Sequence, residues 1–112
     1  MNRIPSHLLV SGLVRAANAC GGYAVLIKRG AEERGGIILI CRENDRETHL
    51  LELTLDFNDK MLWLPHNSGN QGSTVDLDKY LAKRQAHDED LWVVELSIAD
   101  AQRFADELLE LP

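Results

Sequence analysis

The chain has 112 residues, 45% of them hydrophobic and 27% charged, and a formal net charge of −6. That is the composition of one ordinary globular domain. It excludes disorder over most of the length, because apolar residues are spread along it, and no run of roughly 18 uncharged apolar residues exists to span a membrane.

Net acidity also disfavours general nucleic-acid binding. The charge is unevenly spread, however. Residues 1–42 carry six basic and two acidic side chains, a net of +4; residues 43–112 carry six and sixteen, a net of −10. Such asymmetry either averages out when the halves pack together or marks an interaction face, as in a homodimer or in a partner with a basic face.

In chain order, the first predicted element is a helix from about Ser6 to Cys20. Leu9, Val10, Leu13, Val14 and Ala17 recur at helical spacing. Pro5 stands where a helix can begin, and Gly21-Gly22 where one ends. Two β-branched runs follow, Tyr23 to Ile27 and Ile37 to Cys41, each apolar at successive positions, so both faces should be covered. The segment between them has glycines at both ends and predicts a hairpin with a long loop. Paired so, the two strands would form the centre of an antiparallel sheet.

Leu51, Leu53 and Leu55 alternate with Glu52, Thr54 and Asp56, the pattern of a strand with one wet face. Met61 to Leu64 is a short fourth strand, which completes a meander. The polar stretch 65–73 is the longest loop. Ser73-Thr74-Val75-Asp76 resembles a capping box and starts a helix to about His87, with Leu77, Tyr80 and Leu81 on its inner face. Asp88, Glu89 and Asp90 at that end oppose the helix dipole, which predicts an earlier stop. Leu91 to Leu96 reads as a strand. Ser97-Ile98-Ala99-Asp100 repeats the capping spacing before a last helix to about Glu110, with Ala101, Phe104, Ala105 and Leu108 inside. The fold class is α+β: a single domain over 1–112, with a mostly antiparallel sheet of about five strands and three helices in the order α-β-β-β-β-α-β-α.

The motifs of chemistry are missing from the sequence. Gly21-Gly22 and Gly35-Gly36 precede strands, so neither aims a helix N-terminus at a phosphate. No Gly-x-Ser-x-Gly elbow is present. Cys20 and Cys41 flank apolar segments and read as buried, unreactive thiols. No motif implies a cofactor. With no apolar N-terminal run and no lipidation signal, the expected setting is the reducing cytoplasm.

Several candidate residues remain, each with a structural alternative. His66, Asn67, Asn70 and Gln71 give the long loop adaptable hydrogen-bonding groups, or belong to a mobile polar loop. Glu95 interrupts an apolar strand and is either solvated, paired with an Arg or Lys, or a pocket acid; Glu52 and Asp56 complete the carboxylate set. His87 with Asp88 and Asp90 is the best metal guess, against a solvated acidic turn. Trp63 and Trp92 belong to the core, or one of them anchors an interface. Arg15, Lys28, Arg29 and Arg34 would carry nucleic-acid binding if there were any.

The order and spacing of Pro5-x-x-Leu8, Val10-Ser11-Gly12-Leu13-Val14-Arg15, Gly21-Gly22-Tyr23-Ala24-Val25-Leu26, Lys28-Arg29-Gly30, Gly35-Gly36-Ile37-Ile38-Leu39, Asp90-Leu91-Trp92-Val93-Val94-Glu95 and Ala101-x-Arg103-Phe104 resemble the domain of unknown function 1491, a family of small alphaproteobacterial proteins. The resemblance covers nearly the whole chain. It implies a stand-alone cytoplasmic domain and transfers no activity or cofactor. The expected function is a non-enzymatic interaction module, self-associating or bound to another protein. The alternative is a small-molecule-binding or catalytic domain using the 65–73 loop.

Overall fold

The structure, a computed structural model, describes residues 4–33, 35–43, 47–66 and 74–110. Among them run α1 (Ser6–Ala19), β1 (Tyr23–Lys28), β2 (Ile37–Glu43), β3 (Glu47–Leu55), β4 (Met61–His66), α2 (Thr74–His87), β5 (Trp92–Ser97) and α3 (Ala101–Leu109). This is the expected α+β order.

The helix α1 forms where its apolar stripe demands. Leu9, Val10, Leu13 and Ala17 are buried. Its N-terminal N–H groups have no partners within the helix. Pro5 is the N-cap, Ser6 N–H donates to Glu33 O at 3.1 Å and His7 N–H to Glu32 O at 2.8 Å. The buried Ser6 hydroxyl donates to Gly35 O at 2.6 Å. At the other end Gly21 takes φ 87°, and Gly22 N–H reaches back to Ala17 O at 3.1 Å. That is the left-handed glycine stop the sequence announces.

The sheet order is β1-β5-β2-β3-β4. The strands β2, β3 and β4 form the expected antiparallel meander. The expected β1–β2 hairpin does not form: β5 lies between the two strands, antiparallel to β1 and parallel to β2. The sheet is therefore mixed, with one parallel pair. The connection from residue 29 to 36 spans two strand spacings, about 10 Å, and straddles the start of β5. There Ala31 N–H donates to Asp90 O at 3.0 Å, Trp92 N–H to Gly36 O at 2.7 Å and Trp92 Nε1 to Ala31 O at 2.7 Å. A Cβ at Gly30 or Gly35 would run into Asp90 O, which is why this close crossing needs glycine.

The central strands bury both faces. Ile37, Leu39 and Cys41 point to the side of α1 and α3, with Leu51, Trp63, Trp92, Val94 and Leu96. Ile38 and Ile40 point to the side of α2, with Leu50, Leu81, Leu91 and Val93. The two-sided burial expected of both Tyr23 to Ile27 and Ile37 to Cys41 is found in β2 and not in β1, where only Ala24 is buried.

Two helix ends differ from expectation. The helix α2 continues to His87. Arg84 and His87 in its last turn favour the dipole there, and the acids beyond it leave the helix: Asp88 Oδ1 accepts from Asp90 N–H at 3.0 Å. At α3, Ser97 ends β5 and the N-cap is Asp100, left-handed at φ 52° with no side-chain capping bond. Ser97–Asp100 is thus a strand-to-helix corner and not a capping box.

Candidate interaction surface

The three candidate carboxylates are each held by a structural partner, and they do not converge. Glu95 Oε1 accepts from Arg42 Nε at 2.8 Å and Glu95 Oε2 accepts from the Tyr23 hydroxyl at 3.1 Å. That is the Arg-paired alternative the sequence offered. Glu52 receives a two-pronged grip from Arg84, both bonds 2.7 Å, and Arg84 also donates to the Tyr80 hydroxyl at 2.7 Å. The Glu52 carboxylate holds the Arg84 guanidinium protonated well above its ordinary value; burial opposes this and Tyr80 assists it. Asp56 Oδ1 accepts from Asn58 N–H and Lys60 N–H at 2.8 and 2.9 Å, closing the β3–β4 turn. Glu52 and Glu95 are separated by β2, about 10 Å across the sheet.

The remaining candidates are dispersed. His66 ends β4 opposite Leu50, and Asn67, Asn70 and Gln71 lie outside the described residues, as does Arg34. Among the described residues no three His, Cys, Asp or Glu side chains are grouped to hold a metal ion. Asp88 shapes its own turn, as above. Cys41 is buried as expected, whereas Cys20, at the C-cap of α1, is exposed.

Both tryptophans are in the core at 2% exposure, so neither can serve as the interface anchor considered from sequence. Their surroundings differ. The Trp92 Nε1–H is bonded to Ala31 O, with the Arg29 guanidinium over its ring at 5.4 Å. The Trp63 Nε1–H has no partner among the described residues.

What sequence reasoning missed is β1. It is an edge strand, with β5 on one side and, among the described residues, no strand on the other. Tyr23, Val25, Leu26 and Ile27 are exposed, Val25 at 45% and Ile27 at 53%. The α1 helix packs on one face of β1, while the residues of α2 that reach the sheet cover β2, β3 and β5. The strand carries no proline and no acidic residue, and its register slips between Leu26 and Lys28. Lys28 does not guard the edge, because its Nζ donates back to Glu89 O and Leu91 O at 2.8 and 2.9 Å. The available signal was the length of the 29–36 connection, which is more than adjacent strands need.

Helices on both faces of a mixed five-stranded sheet, with one apolar edge strand left open, define a small three-layer α+β protein. The chain belongs to the DUF1491 family of proteins of unknown function, whose profile matches residues 4–106. It is similar to the crystal structure of a DUF1491 family protein from Caulobacter crescentus CB15, at 21% identity and TM-score 0.77, covering 91% of this chain and 94% of that one. It is also similar to the solution structure of protein Atu0922 from A. tumefaciens, at 25% identity and TM-score 0.70, covering 88% and 89%. An NMR structure of a C. crescentus DUF1491 family protein matches at 22% identity and TM-score 0.75, covering 93% and 94%. No curated protein matches the chain.

Proposed function

We propose that this chain is a small, non-enzymatic interaction module of the bacterial cytoplasm, and that its contact surface is the β1 edge. The observation that carries the reading is the exposure of Tyr23, Val25, Leu26 and Ile27 on a strand with one side unpaired among the described residues. Unpaired N–H and C=O groups beside apolar side chains are a template for another strand. The carboxylates once eligible for catalysis support the same reading, since Glu52, Asp56 and Glu95 are occupied in holding the fold.

Site-specific photo-crosslinking inside the bacterial cell tests it. A photo-reactive phenylalanine analogue replaces Val25 and, separately, Leu64 of the opposite edge. The expected outcome is a discrete higher-mass adduct from position 25 and none from position 64. Equal labelling at both positions, or no adduct from 25, contradicts the reading. An adduct of twice the chain mass identifies self-association as its form.

A further inference from the structure

Beside β1 lies a cleft of about 420 Å³, walled by α1 on one side and β1 on the other. Its apolar lining includes Val14, Leu26 and the almost wholly buried Trp92, and its basic lining includes Arg15 and Arg29. Arg15 is exposed on α1; Arg29 lies over the Trp92 ring and reaches Glu32 at 3.7 Å through a pair that is 65% and 70% exposed. An exposed pair of that kind holds its arginine weakly. An edge strand flanked by a helix-walled cleft is the arrangement in which an extended peptide adds a strand. Main-chain bonds then supply affinity, and alternate side chains enter the cleft.

Building on the interaction reading above, we infer that the occupant of β1 is an extended, proline-free peptide segment of a partner protein with apolar residues beside acidic ones. An apolar side chain fits between Val14 and Leu26, and carboxylates meet Arg15 and Arg29. Charge decides against a second copy. A second β1 would bring its own Arg15 and Arg29 to the seam, and neither strand has an acid within Tyr23–Lys28 to offset them. Nucleic acid matches the arginines but not the apolar edge, and Lys28 is already turned onto the Glu89 and Leu91 carbonyls.

The test is selection of the full chain against a phage-displayed library of random peptides about nine residues long. The expected result is enrichment of acidic, β-branched, proline-free sequences. Their affinity should fall about tenfold or more in the double variant Arg15→Glu, Arg29→Glu, with the variant's melting curve recorded to show that it is folded. A milder Arg15→Gln variant, at an exposed position, should retain the fold and lose part of the affinity. No enrichment, enrichment of neutral or basic peptides, or equal binding to the charge variants overturns the inference. Preferential retention on immobilised DNA overturns it in favour of nucleic acid. If no peptides emerge and light scattering shows a dimer that Val25→Lys dissolves, the inference falls while the interaction reading stands. If no peptides emerge and crosslinking from position 25 is silent, both fall.

Discussion

The two edges of the sheet differ in what they expose and in how they are anchored. At one end β4 carries Pro65, which cannot donate to a further strand, although Leu64 is 49% exposed. At the other end β1 has five successive residues, Tyr23 to Ile27, with neither proline nor charge. Exposed apolar side chains separate the edges, Tyr23, Val25, Leu26 and Ile27 on β1 against Leu64 on β4, and so do the means of blocking strand addition. The anchoring differs as well. The strand β4 continues from β3 through a tight turn closed by Asp56, while β1 is tied to β5 by the crossing of residues 29–36 over Asp90 and Trp92.

The largest expected effect breaks that crossing. In Gly35→Ala the new Cβ meets Asp90 O and approaches Trp92 Nε1 to 2.9 Å, and backbone must move to relieve it. We expect a loss of about 2–3 kcal/mol in denaturant unfolding, with faster amide exchange in β1 than in β4. Next comes the tryptophan pair. Trp92→Phe removes the bond to Ala31 O and leaves a smaller ring under Arg29, and should cost about 2 kcal/mol. Trp63→Phe removes a donor with no partner among the described residues and should cost about 1 kcal/mol or less. Equal losses would mean that the Trp92 crossing contributes nothing particular to β1.

Glu52→Gln leaves Arg84 without its carboxylate and loosens α2 from β3; the expected cost is about 1–2 kcal/mol. Because α2 does not cover β1, crosslinking from position 25 should be unchanged, and a change would mean that the two regions are coupled. The smallest effect lies on α3. Burial, and secondarily the charge of Glu110, raise the Asp106 carboxyl above its ordinary range. A raised acid costs stability while it is ionised, above its folded pKa, and the cost disappears as pH falls below its unfolded pKa. Asp106→Asn should therefore raise Tm slightly at pH 7 and leave it unchanged near pH 3, as differential scanning calorimetry would show.

The elements themselves were legible in the sequence because each has its own local signal. The Leu9–Leu13–Ala17 stripe and the Gly21 stop define α1, and the Leu51–Leu53–Leu55 alternation defines β3. Strand order was not legible. Apolar periodicity shows that a strand wants burial and says nothing of which neighbour supplies it. The run Leu91 to Leu96, fully apolar apart from Glu95, takes the two-sided central place, and β1 is displaced to the edge. For the same reason the sequence leaves Trp63 and Trp92 eligible as anchors, although both are internal. Of the candidate site, the pairing of Glu95 was foreseeable as an alternative, because a carboxylate in an apolar strand needs a cation. Its partner Arg42, two residues beyond Ile40 in the parallel register, depended on the unforeseen β2–β5 pairing.

On the reading proposed above, β1, and not β4, is the edge that receives a partner. Amide exchange by isotopically labelled chain, compared in buffer and in concentrated bacterial extract, tests it most directly. Slowed exchange in the extract is expected at residues 23–28, with unchanged exchange at 61–66. Identical β1 exchange in both media, or slowing at β4 instead, would contradict it.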